Sequence, residues 1–197
     1  MARLLIVGPQ GSGKGTQGVR IAEAFGVPVV STGDVFRANV AGGTELGVQV
    51  KEIIDSGNLV PDELTSAVVR DRLSKDDAAD GFLLDGYPRN LGQVLHLDEF
   101  LEGRDEALDA VIALVVPREE SIERLSKRAS EQGRADDTEE VIAQRLAIYE
   151  SETAPILGVY GTRGIVDEID GVGSLDEVTA RIFAALDARG LGRSSAA

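Results

Sequence analysis

The sequence predicts an α/β protein in which a parallel sheet of five strands is covered by helices on both faces. Two observations favour this three-layer α/β/α class. Short runs rich in Val, Ile and Leu are bounded by Gly, Pro or Asp, as strands buried on both faces should be. These runs alternate with helical patterns along nearly all of the 197 residues, which favours parallel pairing. The predicted strands are 3–7, 27–31, 81–85, 110–116 and 165–169.

Helical patterns occupy the intervals between these strands. Ser174 followed by Glu177 is a capping-box pattern and predicts the start of the last helix. Residues 32–62 carry two or more short helices, too much for a simple crossover, and we interpret them as an insertion. Residues 189–197 are rich in Gly, Ser and Ala, and we expect this tail to be disordered. The predicted helices are 14–25, 34–41, 46–55, 63–73, 93–101, 119–128, 139–150 and 175–188.

Composition excludes several classes of protein. No apolar run approaches the ~20 residues of a membrane span, and no signal-peptide pattern opens the chain. Cysteine is absent, so neither disulfides nor a thiolate zinc site are expected. A net charge of −14 argues against a nucleic acid polymer as partner. We therefore expect a cytoplasmic protein, and one whose 20 Lys and Arg must be gathered locally if it binds polyphosphate.

A glycine-rich segment follows the first predicted strand at once: Gly8-Pro9-Gln10-Gly11-Ser12-Gly13-Lys14-Gly15-Thr16-Gln17. Glycines let the backbone curl so that several N–H groups point at one anion. The helix that begins near Lys14 adds the positive end of its dipole, and the lysine can reach the outer phosphates. The pattern predicts a phosphate-binding loop; the alternative is a glycine-rich turn without a ligand. Gly15 is unusual, because a Ser or Thr normally follows the lysine.

The third strand ends in Asp85-Gly86-Tyr87-Pro88-Arg89. Open α/β sheets bind ligands at the carboxyl ends of their strands. A carboxylate there can hold water on a bound Mg²⁺, and Arg89 can fork onto a phosphate. The alternative is a strand-end turn with a surface salt bridge.

Four further arginines complete a candidate polyanion site. Arg124 and Arg128 are four apart and share a helix face. Each arginine could instead form a solvated ion pair, with Glu120, Glu123 or Glu139 as partners. Together with Lys14 and Arg89 they suit phosphoryl transfer, which needs positioning and cancellation of charge rather than covalent help from the protein. The four are Arg124, Arg128, Arg134 and Arg145.

From Arg3 to about Leu186 the chain resembles the adenylate kinases of the nucleoside monophosphate kinase family. The family's Gly-Lys-Gly-Thr order also accounts for Gly15. The resemblance is carried by the glycine-rich loop and five further motifs: Ser31-Thr32-Gly33-Asp34 with Arg37, Gly57-Asn58-Leu59-Val60-Pro61-Asp62, Asp85-Gly86-Tyr87-Pro88-Arg89 with Gln93, Gly133-Arg134-Ala135-Asp136-Asp137, and Arg145-Leu146 with Tyr149.

The resemblance implies reversible phosphoryl transfer from ATP to AMP, giving two ADP, in a monomeric enzyme. It implies one P-loop kinase domain over residues 1–188, with its core in 1–31, 61–127 and 135–188. An AMP-binding insertion would cover 32–60, and a short lid about 128–134. Only five residues separate Arg128 from Arg134, and cysteine is absent, so no structural zinc is expected in the lid.

The resemblance also implies roles for single residues. Catalysis would rest on Lys14, Arg89, Arg124, Arg128, Arg134 and Arg145. ATP would be bound by Gly11, Ser12, Gly13, Lys14, Gly15, Thr16, Arg124, Arg128 and Gly173. AMP would be bound by Thr32, Arg37, Asn58, Leu59, Val60, Gly86, Tyr87, Pro88, Arg89, Gln93, Arg134 and Arg145. Asp85 would hold Mg²⁺ through water.

Base choice depends on Thr32 and Gln93. An amide offers the donor and the acceptor that a neutral purine edge needs, whereas similar pyrimidine kinases carry Ala and Asn at these positions. The alternatives are a helix cap for Thr32 and a solvent-facing position for Gln93. For the whole chain they are a UMP/CMP kinase or a catalytically silent nucleotide-binding module.

Three residues have no assigned role in the reaction. Gln10 replaces a common Pro and could bond a neighbouring loop, and Asn90 replaces a common Thr and could cap the next helix. We expect His96, the single histidine, to be a surface or packing residue, since phosphoryl transfer needs no histidine base.

Overall fold

Five parallel strands form one sheet in the computed structural model, which describes residues 2–132 and 138–193. The sheet order is β2-β3-β1-β4-β5. The predicted α/β class is therefore confirmed, and the predicted strand ends differ from the observed ones by at most two residues. The strands are β1 (Arg3–Val7), β2 (Val29–Ser31), β3 (Phe82–Asp85), β4 (Ala110–Val115) and β5 (Val166–Asp170).

The central strand β1 divides the core into two layers. Leu5 and Val7 belong to the apolar cluster that helices α4 (Asp62–Leu73), α5 (Leu91–Glu102) and α8 (Ile156–Thr162) cover. Leu4 and Ile6 belong to the cluster beneath helices α1 (Lys14–Phe25) and α9 (Leu175–Ala188). All four side chains are buried, as the period of two along a strand requires when helices cover both faces. This is why the strand sequence is continuously apolar.

The described helices are α1 (Lys14–Phe25), α2 (Thr32–Ala41), α3 (Glu45–Asp55), α4 (Asp62–Leu73), α5 (Leu91–Glu102), α6 (Arg118–Gln132), α7 (Glu139–Ile148), α8 (Ile156–Thr162) and α9 (Leu175–Ala188). All eight predicted helices are present, and α6 continues four residues beyond its predicted end. Helix α8, a 3₁₀ turn at Asp76–Ala78 and a π-helix at Tyr149–Thr153 were not predicted. None of the described helices is long and apolar enough to cross a membrane.

Side-chain caps begin five of the described helices, and three of these caps bear on the sequence predictions. Ser31 caps α2 by accepting from the Asp34 amide, so the alternative of a Thr32 cap is wrong. Asn90 caps α5, as suggested from the sequence. The capping box of Ser174 and Glu177 opens α9 as predicted.

Helices α2 and α3 of the insertion pack closely on each other. A Cβ at Gly47 would lie 2.1 Å from the backbone oxygen of Asn39, so no larger residue fits at this approach. Phe36, Val50 and Val60 form a small apolar cluster there, separate from the two layers on the sheet. The insertion thus has a core of its own.

The described residues continue to 193, inside the predicted tail. Arg189 follows α9 and donates to the backbone oxygens of Gly164 and Val166 and to the carboxylate of Asp167. These bonds tie the end of α9 to the start of β5. Residues 194–197 lie outside the described residues.

Candidate active site

A cleft of about 540 Å³ opens at the carboxyl edge of the sheet. The segments that follow β1, β2 and β3 all line it, because the carboxyl ends of parallel strands meet at the same edge. The volume lies within the range of about 300–1,000 Å³ that is usual for small-molecule sites. The sequence-predicted phosphate loop and the Asp85–Arg89 turn therefore face one space.

The phosphate loop joins β1 to α1, and two of its glycines have a left-handed backbone conformation. Gly11 has φ +82° and Gly13 has φ +94°, a region that favours glycine. A Cβ at Gly11 would also lie 2.5 Å from the backbone oxygen of Ser121, because the loop packs against α6. Gly13 is the N-cap of α1, so the first helical amides open towards the cleft. This is the geometry of an anion site.

Lys14 is folded back onto its own loop. Its Nζ donates to the backbone oxygens of Gly8 and Pro9, at 2.7 and 2.8 Å. Burial lowers the pKa of Lys14 from 10.5 to about 8; the Asp85 carboxylate opposes this shift, and Arg89 and Arg128 add to it. The lysine is thus held as a poorly solvated cation beside other cations, an environment that favours an incoming anion.

Arg89 is fixed at three points. Its Nε donates to the Gly86 oxygen at 2.7 Å, and its backbone amide donates to Gln93 Oε1 at 2.8 Å. Its backbone oxygen accepts from Thr153 Oγ1 at 2.8 Å. The terminal guanidinium nitrogens donate to none of the described residues, and Arg89 lines the cleft. The fork is therefore positioned before a ligand arrives.

Charge around Arg89 confirms that the cations are close together. Its pKa is lowered chiefly by burial, Asp85 opposes this, and Arg145 and Arg37 lower it further. Such mutual repulsion in a cleft disfavours the empty site and favours a bound polyanion. Six described cations line the cleft: Lys14, Arg37, Arg89, Arg124, Arg128 and Arg145. Arg134 lies outside the described residues.

Arg124 and Arg37 are held by ion pairs with neighbouring carboxylates. Arg124 Nε donates to Glu120 Oε1 at 2.7 Å, and its Nη2 donates to the Gly171 oxygen at 3.1 Å. The ion-pair alternative therefore applies to Arg124, which nevertheless lines the cleft. Arg37 pairs with Asp34, and both side chains are exposed. Exposed pairs of this kind are weak, so a phosphate can replace the carboxylate.

Asp85 supplies the acidic group of the cleft. Its Oδ2 would lie 3.9 Å from a Cβ built at Gly15, above the first turn of α1. A carboxylate at this place is the hard oxygen donor that Mg²⁺ prefers. No cluster of three or more His, Asp or Glu suited to a metal ion occurs within residues 2–132 and 138–193.

The predicted base-reading pair is buried in the wall of the cleft. Thr32 and Gln93 are 3% and 2% exposed, so the solvent-facing alternative for Gln93 is wrong. Thr32 Oγ1 donates to the Gly86 oxygen at 2.9 Å. Gln93 Nε2 donates to Asp62 Oδ1 at 2.7 Å. Both side chains line the cleft.

Not every predicted site residue lines the cleft. Tyr87 lies in the sheet core, where its hydroxyl meets Ser66 Oγ at 2.9 Å. Ser12 is buried behind the loop, and Gly173 lies beside Glu177. The remaining described positions line it: Gly11, Gly13, Gly15, Thr16, Asn58, Leu59, Val60, Gly86 and Pro88.

Two contacts around the site were not predicted from the sequence. Asp62 bonds Gln93, and Thr153 bonds Arg89, across large sequence separations that leave no local pattern. Gln10 lines the cleft, but its Oε1 is buried and has no partner among the described residues, so the suggested bond to a neighbouring loop is not observed. His96 Nδ1 meets Ser66 Oγ at 3.0 Å and does not line the cleft, in accord with a packing role.

Comparison with known proteins decides the family. Residues 6–165 match the family model described as adenylate kinase. This chain belongs to the adenylate kinase family. Two proteins named adenylate kinase, from Kocuria rhizophila and Clavibacter michiganensis subsp. michiganensis, are each 56% identical to it. The first match covers 95% of this chain and 100% of that protein, and the second covers 99% and 98%.

A third protein named adenylate kinase, from Leifsonia xyli subsp. xyli, is 57% identical over 95% of this chain and 94% of its own length. Membership of the adenylate kinase family makes the chain a phosphotransferase, as the sequence predicted. Adenylate kinase function is supported, and neither the UMP/CMP kinase nor the silent module is favoured.

Proposed function

We propose that this enzyme catalyses the reversible reaction of ATP and AMP to two ADP, with Mg²⁺ carried by ATP, and so balances the adenine nucleotides. The observation that carries the proposal is the convergence of six cations on one cleft in a chain of net charge −14. Repulsion between these cations destabilises the empty cleft, and a bound polyphosphate relieves the repulsion. Phosphoryl transfer requires this cancellation of charge on the oxygens of the transferred group.

The phosphate loop would hold ATP. Its backbone amides and the N-terminus of α1 bind phosphate oxygens, and Lys14 exchanges the Gly8 and Pro9 carbonyls for the outer phosphates. Arg124 and Arg128 approach from α6. Gly173 would meet the ATP base through its backbone, and Ser12 would contribute only its backbone, since its side chain is buried.

The opposite wall would hold AMP. Arg89, already fixed at three points, binds the acceptor phosphate, while Arg37 and Arg145 add charge from α2 and α7. Residues 58–60 line the wall beside the base. Arg134, which lies outside the described residues, would bind the phosphoryl group during its transfer. Tyr87 would act from the core, by supporting the turn that carries Arg89.

Catalysis on this arrangement is electrostatic and positional. The guanidinium groups and Lys14 cancel charge on the transferring oxygens, and no residue needs to take a covalent bond. Asp85 would hold Mg²⁺ through water, and the ion would supply positive charge against the phosphates of ATP. Residues 32–60 would close over AMP. The short lid expected at about 128–134, of which 133 and 134 lie outside the described residues, would close over ATP, so that water is excluded.

Base choice would use the free capacity of Gln93. Its amide oxygen keeps one lone pair after accepting from Arg89, and its nitrogen keeps one N–H after donating to Asp62. That pair can serve one donor and one acceptor on a purine edge. Thr32 presents its methyl group, because its hydroxyl already donates to Gly86.

A coupled assay tests the proposal. ATP is supplied with AMP, UMP or CMP in turn, and the ADP formed is followed. We expect AMP to be the best acceptor. Faster turnover with UMP or CMP would contradict the base assignment, and no turnover with any acceptor would favour the silent module. We further propose a cytoplasmic monomer, which size-exclusion chromatography with light scattering checks.

A further inference from the structure

We propose that Asp62 fixes the orientation of the Gln93 amide and thereby excludes 6-oxopurine monophosphates from the acceptor site. The inference rests on the proposed function, since it concerns how AMP is selected. Asp62 is the first residue of α4, directly after the insertion, whereas Gln93 lies in the first turn of α5. The two side chains are 31 residues apart in sequence and meet at 2.7 Å.

The amide of Gln93 has partners of opposite character. On one side Nε2 meets Asp62 Oδ1; on the other Oε1 meets the backbone amide of Arg89 at 2.8 Å. An ionised carboxylate can only accept, and a backbone N–H can only donate. These two partners determine which end of the amide is nitrogen, an assignment that is otherwise ambiguous. A flip would set oxygen against carboxylate and N–H against N–H.

This fixed orientation has a chemical consequence at the base. The adenine edge presents a donor, the 6-amino group, beside an acceptor, N1. A 6-oxopurine such as hypoxanthine presents the reverse, an acceptor O6 beside a donor N1–H. A freely flipping glutamine could match either edge, because its amide carries both functions. A locked glutamine matches one edge and leaves two like groups opposed on the other.

Burial of Gln93 strengthens the preference of its amide for one orientation. Gln93 is 2% exposed, so water cannot replace a lost partner of its amide. Asp62 is itself held by Asn90 Nδ2, at 2.9 and 3.2 Å from its two carboxylate oxygens. The carboxylate therefore stays in place whichever base is present. Asp62 acts through Gln93 and is a positioning residue that determines specificity.

The test compares the acceptors AMP and inosine 5′-monophosphate with ATP as donor. The variant is Asp62→Asn, which keeps the shape of the side chain. Its amide can either accept from or donate to Gln93, so only the backbone amide of Arg89 still opposes a flip of the Gln93 amide. We expect the ratio of kcat/KM for AMP over inosine monophosphate to fall by at least about tenfold, the effect of removing one charge-assisted hydrogen bond that opposes the flip. The Arg89 amide should preserve part of the preference.

Two further variants separate the orientation of the Gln93 amide from a general effect of removing charge from α4. Asp71→Asn removes the same charge from an exposed position of the same helix and should leave the ratio unchanged. Asn90→Ser keeps a helix-capping hydroxyl and removes the donor that holds Asp62 in place, so it should lower the ratio in the same direction as Asp62→Asn and by less. If Asp62→Asn does not fold, as judged by its thermal transition, Asp62→Ser gives the same test.

The outcomes are distinct. An unchanged ratio in the Asp62 variant, or an equal loss for both acceptors, would show that Asp62 merely anchors α4, and would overturn the proposal. A wild-type enzyme that uses both acceptors equally would also overturn it. A wild-type enzyme that does not phosphorylate AMP would instead refute the proposed function.

Discussion

Replacing Lys14 by Met should abolish turnover and at the same time stabilise the folded protein. Burial lowers the pKa of this lysine from 10.5 to about 8, so the fold holds the charged form at a cost. That difference corresponds to about 3 kcal/mol, since each tenfold change in a protonation equilibrium is worth about 1.4 kcal/mol. The variant also loses the two bonds to the Gly8 and Pro9 oxygens, each worth about 1 kcal/mol. A net gain of about 1–2 kcal/mol should remain.

The pH dependence of the free energy of unfolding independently tests whether Lys14→Met stabilises the fold. Between pH 8 and 10.5 the unfolded chain keeps a proton that the folded chain releases, so the wild-type free energy of unfolding rises with pH there. Lys14→Met lacks this rise. The free energy of unfolding of the variant should therefore exceed that of the wild type by the largest amount below pH 8, and the difference should shrink towards pH 10.5.

Urea unfolding of both proteins across this pH range makes the measurement. Lys75→Met is the matched control, because Lys75 is 57% exposed and pairs with the exposed Asp71. Its free energy of unfolding should change by less than about 0.5 kcal/mol. A Lys14→Met protein that is less stable than wild type near neutral pH, or whose advantage does not change with pH, would refute the reasoning.

Three further predictions concern positioning, packing and closure. Thr153→Val removes the donor to the Arg89 oxygen and should lower kcat about tenfold, whereas Thr153→Ser should restore it; equal rates would contradict this role. Gly47→Ala should destabilise the fold by about 1–3 kcal/mol through overpacking, while Gly158→Ala, with open space around it, should be neutral or stabilising in denaturant titrations. Hydrogen exchange should slow in residues 32–60 when a bisubstrate analogue binds, and equal protection with and without it would exclude closure of this segment.

Local chemistry explains which parts of the fold could be predicted from the sequence. The strands are continuous apolar runs because helices cover both faces of the sheet, and the phosphate loop is a local pattern of glycines. Helix α8 was missed because it follows Pro155 and contains Gly158 and Gly161, which have low helix propensity. The π-helix before it has no sequence pattern of its own.

The missed parts of the site depend on contacts between distant segments. Ser31 and Thr32 are both good cap residues, and local preference cannot separate them. The choice follows from the bond between Thr32 and Gly86, which are 54 residues apart. The bond from Thr153 to Arg89 spans 64 residues and is likewise visible only in the folded chain.

One measurement tests the central claim that the described cations serve a single polyphosphate between two nucleotide positions. Calorimetric titration with a bisubstrate analogue, in which five phosphates join two adenosines, reports how many molecules bind and what they displace. The account predicts one analogue per chain, competition with both ATP and AMP, and a large loss of affinity in Arg89→Met with a thermal transition no lower than that of the wild type. Two analogues per chain, or displacement of only one nucleotide, would contradict it.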